Sequence, residues 1–432
     1  MDSYQLFSST LKPHPRSHRD LVNNDIDEDL NIDCFSQMRD FLIGKEYNVQ
    51  FIRNLLQCDI LPKNSHDLLN QIMNNIFSES GEESFNAFYS LYILSSFEGI
   101  DLSDFLSKER LIYYIGRILD ENWEFGNMVM LTLSNILLQY DIIEQLHDNH
   151  CYQVSWDSVL MITDEEAEKH NNLDNRINSI FLLLRNSIRP NLPEEICLNI
   201  WNISKMIMKH GFGSYKSIVS GLELLSLLCT VNFKGPIKER DVLFLCDLGL
   251  DGSKVLKALF KFLIAFQEID LLNVVFDEGL LDNILTQLES NAEYSYIIYK
   301  FLQDVDFFFV DIEHLQECLF EHISNGTLKN RSAALEYLAS QTKKLDPYFF
   351  KKYSSSILLS ITEVISSIES SKLINLIVFL DSILENFNRI GYNWKVHIDS
   401  DQLITSLAEK IGKEDITSEN NIISLISRLE SS

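Results

Sequence analysis

Apolar side chains recur at positions i, i+3, i+4 and i+7 along most of the chain, the spacing of one buried face on an α-helix. Equivalent positions in successive runs lie from 34 residues apart (Leu227 to Lys261) to 51 residues apart (Asn135 to Asn186). Eight runs show the pattern most clearly, at residues 85–94, 129–137, 179–186, 221–228, 255–262, 294–301, 331–338 and 374–381. The pattern therefore predicts a series of helices that repeats along the chain.

The separations lie around the roughly 40 to 47 residues of armadillo and HEAT units, and leucine-rich and ankyrin units are shorter. Shorter apolar helices entered through Gly249 or Gly279 stand between the long ones, so a short helix, a glycine bend and a long helix make one unit. Because each unit has a face too apolar to stand alone, stacking buries it against the next unit. The sequence predicts an all-α fold, an α-solenoid of about eight armadillo/HEAT-type repeats over residues 41–390.

Composition agrees with this fold class and also indicates what the two ends of the chain form. Only 15 Gly and 7 Pro occur in 432 residues, too few for the many turns of a β-sandwich, barrel or propeller. Residues 1–40 are predicted to be an acidic, largely disordered arm, and residues 391–432 a C-terminal helical cap. The polar stretch 163–172 accounts for the 51-residue separation, and we interpret it as a surface loop inside one unit.

The formal charge is −27, from 63 acidic and 36 basic residues. Such a charge repels nucleic acid and anionic lipid, and it favours basic, Lys/Arg-rich protein segments as partners. An acidic surface that serves only solubility is the alternative. The seven cysteines stand singly, which is typical of small buried side chains in a reducing compartment, and no segment is long and apolar enough to insert into a membrane. We expect a cytoplasmic and nuclear protein.

Four segments match, one after another along the chain, four motifs of a known family. Residues 51–56 followed by Pro62 are similar to F-R-K-L-L with its following prolines, and residues 85–91 to F-E-A-A-W-A-L. Residues 131–136 are similar to W-A-L-x-N-I, and residues 182–193 to W-T-L-S-N-L-C-R-G-K-x-P. In this order, the motifs resemble those of importin-alpha, the armadillo-repeat family of receptors for nuclear localisation signals, over roughly residues 40–390.

The resemblance implies a peptide-binding groove. In that family, Trp and Asn one turn apart on each long helix line the concave face, where Asn bonds the cargo backbone and Trp flanks cargo lysines. Carried onto this chain, the groove positions are Tyr89, Asn135, Asp141, Asn186, Arg189, Glu223 and Tyr296. Asp141 lies near the position of the family's acidic residue, which is Gln139 here, and all four tryptophans fall at other positions.

The resemblance also implies a function, a divergent receptor that binds basic localisation signals in an acidic groove for nuclear protein import. The family recruits an importin-beta-type carrier through a basic N-terminal segment, which here offers only Lys12, Arg16, Arg19 and Arg39 among many acids. The alternative is an armadillo or HEAT scaffold or regulatory subunit that assembles another complex. Under that alternative, Asn135 and Asn186 serve neighbouring backbone groups, and the tyrosines are core residues.

No residue set predicts catalysis, so we expect no enzymatic activity and no cofactor. His147 and Cys151, with His150 between them, could supply two or three zinc ligands. A structural zinc site takes four, and no second Cys/His pair stands at a suitable spacing. We interpret residues 147–151 as a polar loop and predict no metal site.

Overall fold

The computed structural model describes residues 65–77, 81–96, 102–103, 106–119, 123–161, 172–210, 215–248, 251–266, 269–290, 294–309, 312–367, 370–411 and 416–431. Within these residues the regular structure is helical throughout, and no strand occurs. The chain divides into two compact units, Met1–Gly235 and Pro236–Ser432. No helix among the described residues has the length and apolar character needed to cross a membrane.

The first unit is built of helical hairpins. Its helices are α1 Ser65–Ile76, α2 Gly81–Ser95, α3 Lys108–Arg117, α4 Trp123–Ile136, α5 Ile143–Asp148, α6 Cys151–Leu160, α7 Asn172–Ser187, α8 Glu194–His210 and α9 Tyr215–Thr230. One row runs α2, α4, α7, α9, each packed on the next, and a second row runs α3, α6, α8. The rows are joined because α3 packs on α4, α6 on α7 and α8 on α9.

The second unit repeats this plan. Its helices are α10 Glu239–Asp247, α11 Ser253–Phe266, α12 Ile269–Val275, a π-helical turn Phe276–Leu280, α13 Leu281–Ser290, α14 Ser295–Asp304, α15 Glu313–Asn325, α16 Leu328–Ser340, α17 Pro347–Lys352, α18 Ser354–Ser367, α19 Ser370–Arg389, α20 Ser400–Ala408 and α21 Ile416–Ser431, with 3-10 turns at Thr342–Lys344 and Trp394–His397. One row runs α11, α14, α16, α19, α21, and the other α13, α15, α18, α20.

Apolar faces between the rows hold each unit together. Leu133, Leu183 and Leu225 on three successive helices of the first row are at most 1% exposed. Burying such a side chain stabilises the fold by roughly 1.5–3 kcal/mol. Trp156 and Trp201 belong to this core as well. Gly279, at φ 113°, makes the predicted bend before α13, and a positive φ of this kind favours glycine.

The fold class predicted from the sequence, an all-α stack of repeats of the α-solenoid type, is confirmed. All eight apolar runs lie on helices of the two first-named rows, α2, α4, α7, α9, α11, α14, α16 and α19. The acidic arm 1–40, the opening motif at residues 51–62 and most of the polar insertion 163–172 lie outside the described residues. The proposed limits of the arm, array and cap stay predictions.

Candidate functional site

The candidate site begins at the last turn of α4, where helix geometry leaves carbonyl oxygens without partners. The backbone N–H of Leu138, which would ordinarily reach the carbonyl of Ser134, donates to Asn135 O instead, at 3.1 Å. Asn186, on the next helix of the row, supplies the missing donor. Its Nδ2 lies 3.0 Å from Ser134 O and 2.8 Å from Ser134 Oγ.

Arg189 caps the same helix end. Its guanidinium Nη2 donates to the carbonyl oxygen of Leu137, one residue beyond α4. Its Nη1 lies 3.7 Å from the Asp141 carboxylate, whose side chain is 81% exposed. An ion pair so open to water contributes only about 0–1 kcal/mol, so the carbonyl contact fixes the arginine more firmly than Asp141 does.

The preceding repeat shows a similar arrangement. Asn135 Nδ2 donates to Ser95 Oγ at 3.1 Å, and Gln139 Nε2 donates to the carbonyl oxygen of Ser95 at 2.9 Å. Ser95 is the last residue of α2. Side-chain donors from one repeat therefore cap the long helix of the repeat before it, and we call these contacts the inter-repeat caps (Gln139 to Ser95, Asn186 to Ser134, Arg189 to Leu137).

A groove of about 510 Å³ opens between the ends of α4 and α7 and the face of α9. Its walls include Asp141, Asn186 and Arg189 of the predicted site, together with Leu138 and Arg185. Leu138 is 69% exposed there. The groove thus combines amide, carboxylate, guanidinium and apolar surfaces, which suits a protein segment with mixed side chains.

The other predicted residues of the first unit are placed differently. Leu227 of α9 lines the groove, and Glu223 stands one turn before it on the same helical face, exposed to solvent. Tyr89 is half-buried on α2, with its ring centroid 6.4 Å from that of Tyr92. Asn135 is half-buried on α4 and is not among the residues that line the groove.

Tyr296 belongs to α14 of the second unit, where the chain's own lysines cover it. Lys329 Nζ lies 3.3 Å from the ring centroid and Lys257 Nζ lies 5.5 Å from it. Hydrogen bonding by Lys257, with a smaller contribution from Lys329, lowers the pKa of the Tyr296 hydroxyl below its usual value. A cation of the chain itself, Lys329, therefore already occupies one face of this ring.

Sequence reasoning missed several residues of the groove. In the sequence, Gln139 only replaces the acidic residue of the family, whereas in the structure it is one of the inter-repeat caps. Arg185 and Leu138 line the groove although neither matches a family motif. The signal available in the sequence was their closeness to predicted groove residues, since Arg185 immediately precedes Asn186 and Leu138 lies three residues before Asp141.

Comparison with known proteins supports the fold class and gives no indication of function. No protein-family model matches the chain, and no curated protein sequence matches it. Among solved structures, an engineered protein from a structural genomics consortium is similar, with a TM-score of 0.52 and 14% sequence identity, covering 94% of this chain and 97% of that one. At this identity, the similarity shows a shared all-α fold and carries no information on function.

Proposed function

We propose that the chain is a protein-binding adaptor that holds an extended segment of a partner protein in the groove between α4, α7 and α9. The observation that carries the proposal is the groove itself, which brings Asp141, Asn186 and Arg189 together from two successive repeats. These side chains offer hydrogen bonds and charge but no nucleophile with an adjacent base. This set of residues is therefore suited to binding a partner protein and not to catalysis.

The amide of Asn186 has one side left for a partner. Its Nδ2 is used by Ser134, whereas no described residue donates to its Oδ1. An Oδ1 of this kind accepts a hydrogen bond from a backbone N–H, and an extended segment presents such groups at regular intervals. The exposed carboxylates of Asp141 and Glu223 then favour a segment that carries Lys or Arg beside the bonded backbone.

The finer form of the proposal is a divergent importin-alpha-like receptor that binds nuclear localisation signals. It is supported by the order of the motifs in residues 51–193 and by the formal charge of −27. The scaffold alternative is favoured by one observation, the 69% exposure of Leu138 inside the groove beside Arg185. An apolar docking surface next to an exposed cation suits a partner that is not strongly basic.

A direct binding measurement separates the two. Fluorescence anisotropy would follow a labelled Lys/Arg-rich localisation peptide and the same peptide with its basic residues replaced by Ala. We expect the basic peptide to bind more tightly, and its affinity to fall clearly between low and physiological ionic strength, because salt screens surface charges. Asp141→Lys should weaken binding severalfold.

Asp148→Lys is the matched control, since Asp148 is exposed at the end of α5 and does not line the groove. It makes the same change in net charge as Asp141→Lys. Equal loss of affinity in both variants would mean that overall charge attracts the peptide without a defined groove. Binding that ignores salt and both substitutions would favour the scaffold alternative and docking around Leu138.

A further inference from the structure

One cluster of metal-binding side chains lies in the second unit, on helices that the peptide proposal does not use. Among the residues that the structure describes, Glu289, His314 and Cys318 form the one group of three whose potential ligand atoms all lie within 4.8 Å of one another. His314 and Cys318 stand one turn apart on α15, and Glu289 lies in the last turn of α13. Because α13 and α15 are neighbours in one row, the fold brings the third ligand to the other two.

We propose that Glu289, His314 and Cys318 form a Zn²⁺ site that joins α13 to α15. A tetrahedral zinc ion with bonds of about 2.0 to 2.3 Å holds its ligand atoms roughly 3.3 to 3.6 Å apart. His314 Nε2 and Glu289 Oε1 are already 3.1 Å apart. The Cys318 sulfur lies within 4.8 Å of both of these atoms, so it has to approach them by only about 1 Å to join the same shell.

The donor set selects the metal. A thiolate with an imidazole and a single carboxylate suits zinc, whereas magnesium and calcium take oxygen ligands throughout. Glu317, with Oε2 at 3.9 Å from His314 Nδ1, stands where it can hold the second ring nitrogen. Such a carboxylate behind a ligating histidine fixes the ring and its tautomer, as in many zinc sites.

The site is open to solvent on one side and leaves one coordination position of the ion unfilled by the protein. Cys318 is 8% exposed, while the side chains of His314 and Glu289 are 42% and 55% exposed. The buried sulfur forms the floor of the site and the two other ligands form its open rim. Three protein ligands leave a fourth position for water or for a group from a partner protein.

A similar set of residue types elsewhere in the chain provides a built-in comparison. His147 and Cys151 have the same four-residue spacing, and Glu195 lies 3.7 Å from His147 Nε2. His150, at φ 57°, separates α5 from α6 and breaks the helix between the two residues. These residues do not form a cluster of the kind that Glu289, His314 and Cys318 form.

The test uses the full-length chain, reduced and freed of metal, titrated with Co²⁺ and then with Zn²⁺. We expect one equivalent of Co²⁺ to give a near-ultraviolet sulfur-to-cobalt charge-transfer band that Zn²⁺ abolishes. Cys318→Ala should remove the band. His314→Ala and Glu289→Gln should each weaken Co²⁺ binding about tenfold or more, while His147→Ala should leave it unchanged. Zinc should also raise the Tm of the parent and not that of Cys318→Ala.

A parent protein without the charge-transfer band, or a band that survives Cys318→Ala, would overturn the site. Cys318 is buried, so its variant could fold poorly, and far-ultraviolet circular dichroism checks this. His314→Ala and Glu289→Gln change exposed side chains and decide the question in that case. Unchanged Co²⁺ affinity in both would overturn the proposal as well. The result is independent of peptide binding in the groove.

Discussion

Asn186 donates from its side-chain nitrogen to both the carbonyl and the hydroxyl oxygen of Ser134, at 3.0 and 2.8 Å, and so ties α7 to the end of α4. Asn135 makes a related contact to Ser95 one repeat earlier. The donor side of each amide thus joins two repeats, and in the proposed groove the oxygen of Asn186 is the atom that would accept a bond from a partner. The two roles belong to different atoms and can be separated by mutation.

Replacing Asn186 tests both roles. Asn186→Ala should destabilise the protein by about 1–2 kcal/mol, because Ser134 O loses its donor in a half-buried position. It should also weaken peptide binding, because Oδ1 is gone. Asn186→Asp keeps an acceptor and loses the amide donor, so we expect it to lose stability while retaining most of the peptide affinity. Urea unfolding and fluorescence anisotropy give the two quantities.

Asn202→Ala is the matched control, since Asn202 is exposed on α8. Its effect on stability should stay within about 0.5 kcal/mol. If Asn186→Ala is as stable as this control, the bond to Ser134 contributes nothing measurable to the joint. If Asn186→Asp loses peptide affinity as completely as Asn186→Ala, the oxygen is not the binding atom.

The surroundings of two helical glycines predict that replacing them by alanine has opposite effects on stability. A Cβ on Gly221 of α9 would lie 2.7 Å from Met208 Cβ and 2.8 Å from Ser204 O of α8. Since backbone cannot move aside cheaply, Gly221→Ala should destabilise by roughly 1–3 kcal/mol through overpacking. A Cβ on Gly116 of α3 would meet nothing within 4 Å. Gly116→Ala should stabilise by about 0.5–1 kcal/mol through helix propensity.

Thermal and urea unfolding of the two variants provide the measurement. The same residue type is replaced by the same residue in each, so the contrast reports packing alone. A Gly221→Ala protein as stable as the parent would show that α8 and α9 do not pack as closely as described. A destabilised Gly116→Ala protein would contradict an open position at the end of α3.

Helical periodicity was enough to predict eight of the first-row helices, from α2 to α19, because each buries an apolar stripe whose spacing is set by the helix itself. Asn186 and Arg189, which share the groove with Asp141, were predicted from the resemblance to importin-alpha motifs and not from the periodicity. What it could not show is the direction of each amide. Whether Asn186 turns its nitrogen toward Ser134 depends on the distance between helices from repeats 51 residues apart, which no local pattern encodes.

The metal site illustrates the same limit. The spacing of His314 and Cys318 is visible in the sequence, but the third ligand, Glu289, comes from another helix. His147 and Cys151 have the same spacing, with another histidine between them. There, the left-handed backbone of His150 interrupts the helix. A four-residue spacing brings two ligands onto one face only where the helix between them is uninterrupted.

His322 of α15 gives a prediction for pH. Its ring is buried, with Nδ1 2.8 Å from the Tyr299 hydroxyl and Nε2 3.3 Å from Ser295 Oγ. Burial lowers the pKa of His322 below the ordinary 6.5, and Glu321 opposes the shift only in part. Well above pH 6.5, the histidine is neutral in both the folded and the unfolded chain, so it does not affect how the free energy of unfolding depends on pH.

As the pH falls below 6.5, the unfolded chain takes up a proton at His322 that the folded chain does not, so the free energy of unfolding decreases. The decrease ends where the folded protein is itself protonated at this ring. His322→Asn places an amide near the Tyr299 hydroxyl and removes the titration. We therefore expect the variant to lose less stability than the parent between about pH 7 and pH 5, whatever its stability at neutral pH.

Urea unfolding at a series of pH values measures this difference. The chain has 10 histidines, and the parent and the variant differ only at His322. The difference between their curves of stability against pH therefore gives the contribution of His322. A parent and variant whose stabilities fall in parallel would show that the ring takes up its proton equally well in the folded and unfolded states. A parent that loses less stability than the variant would mean that Glu321 outweighs burial and raises the pKa of His322 in the fold.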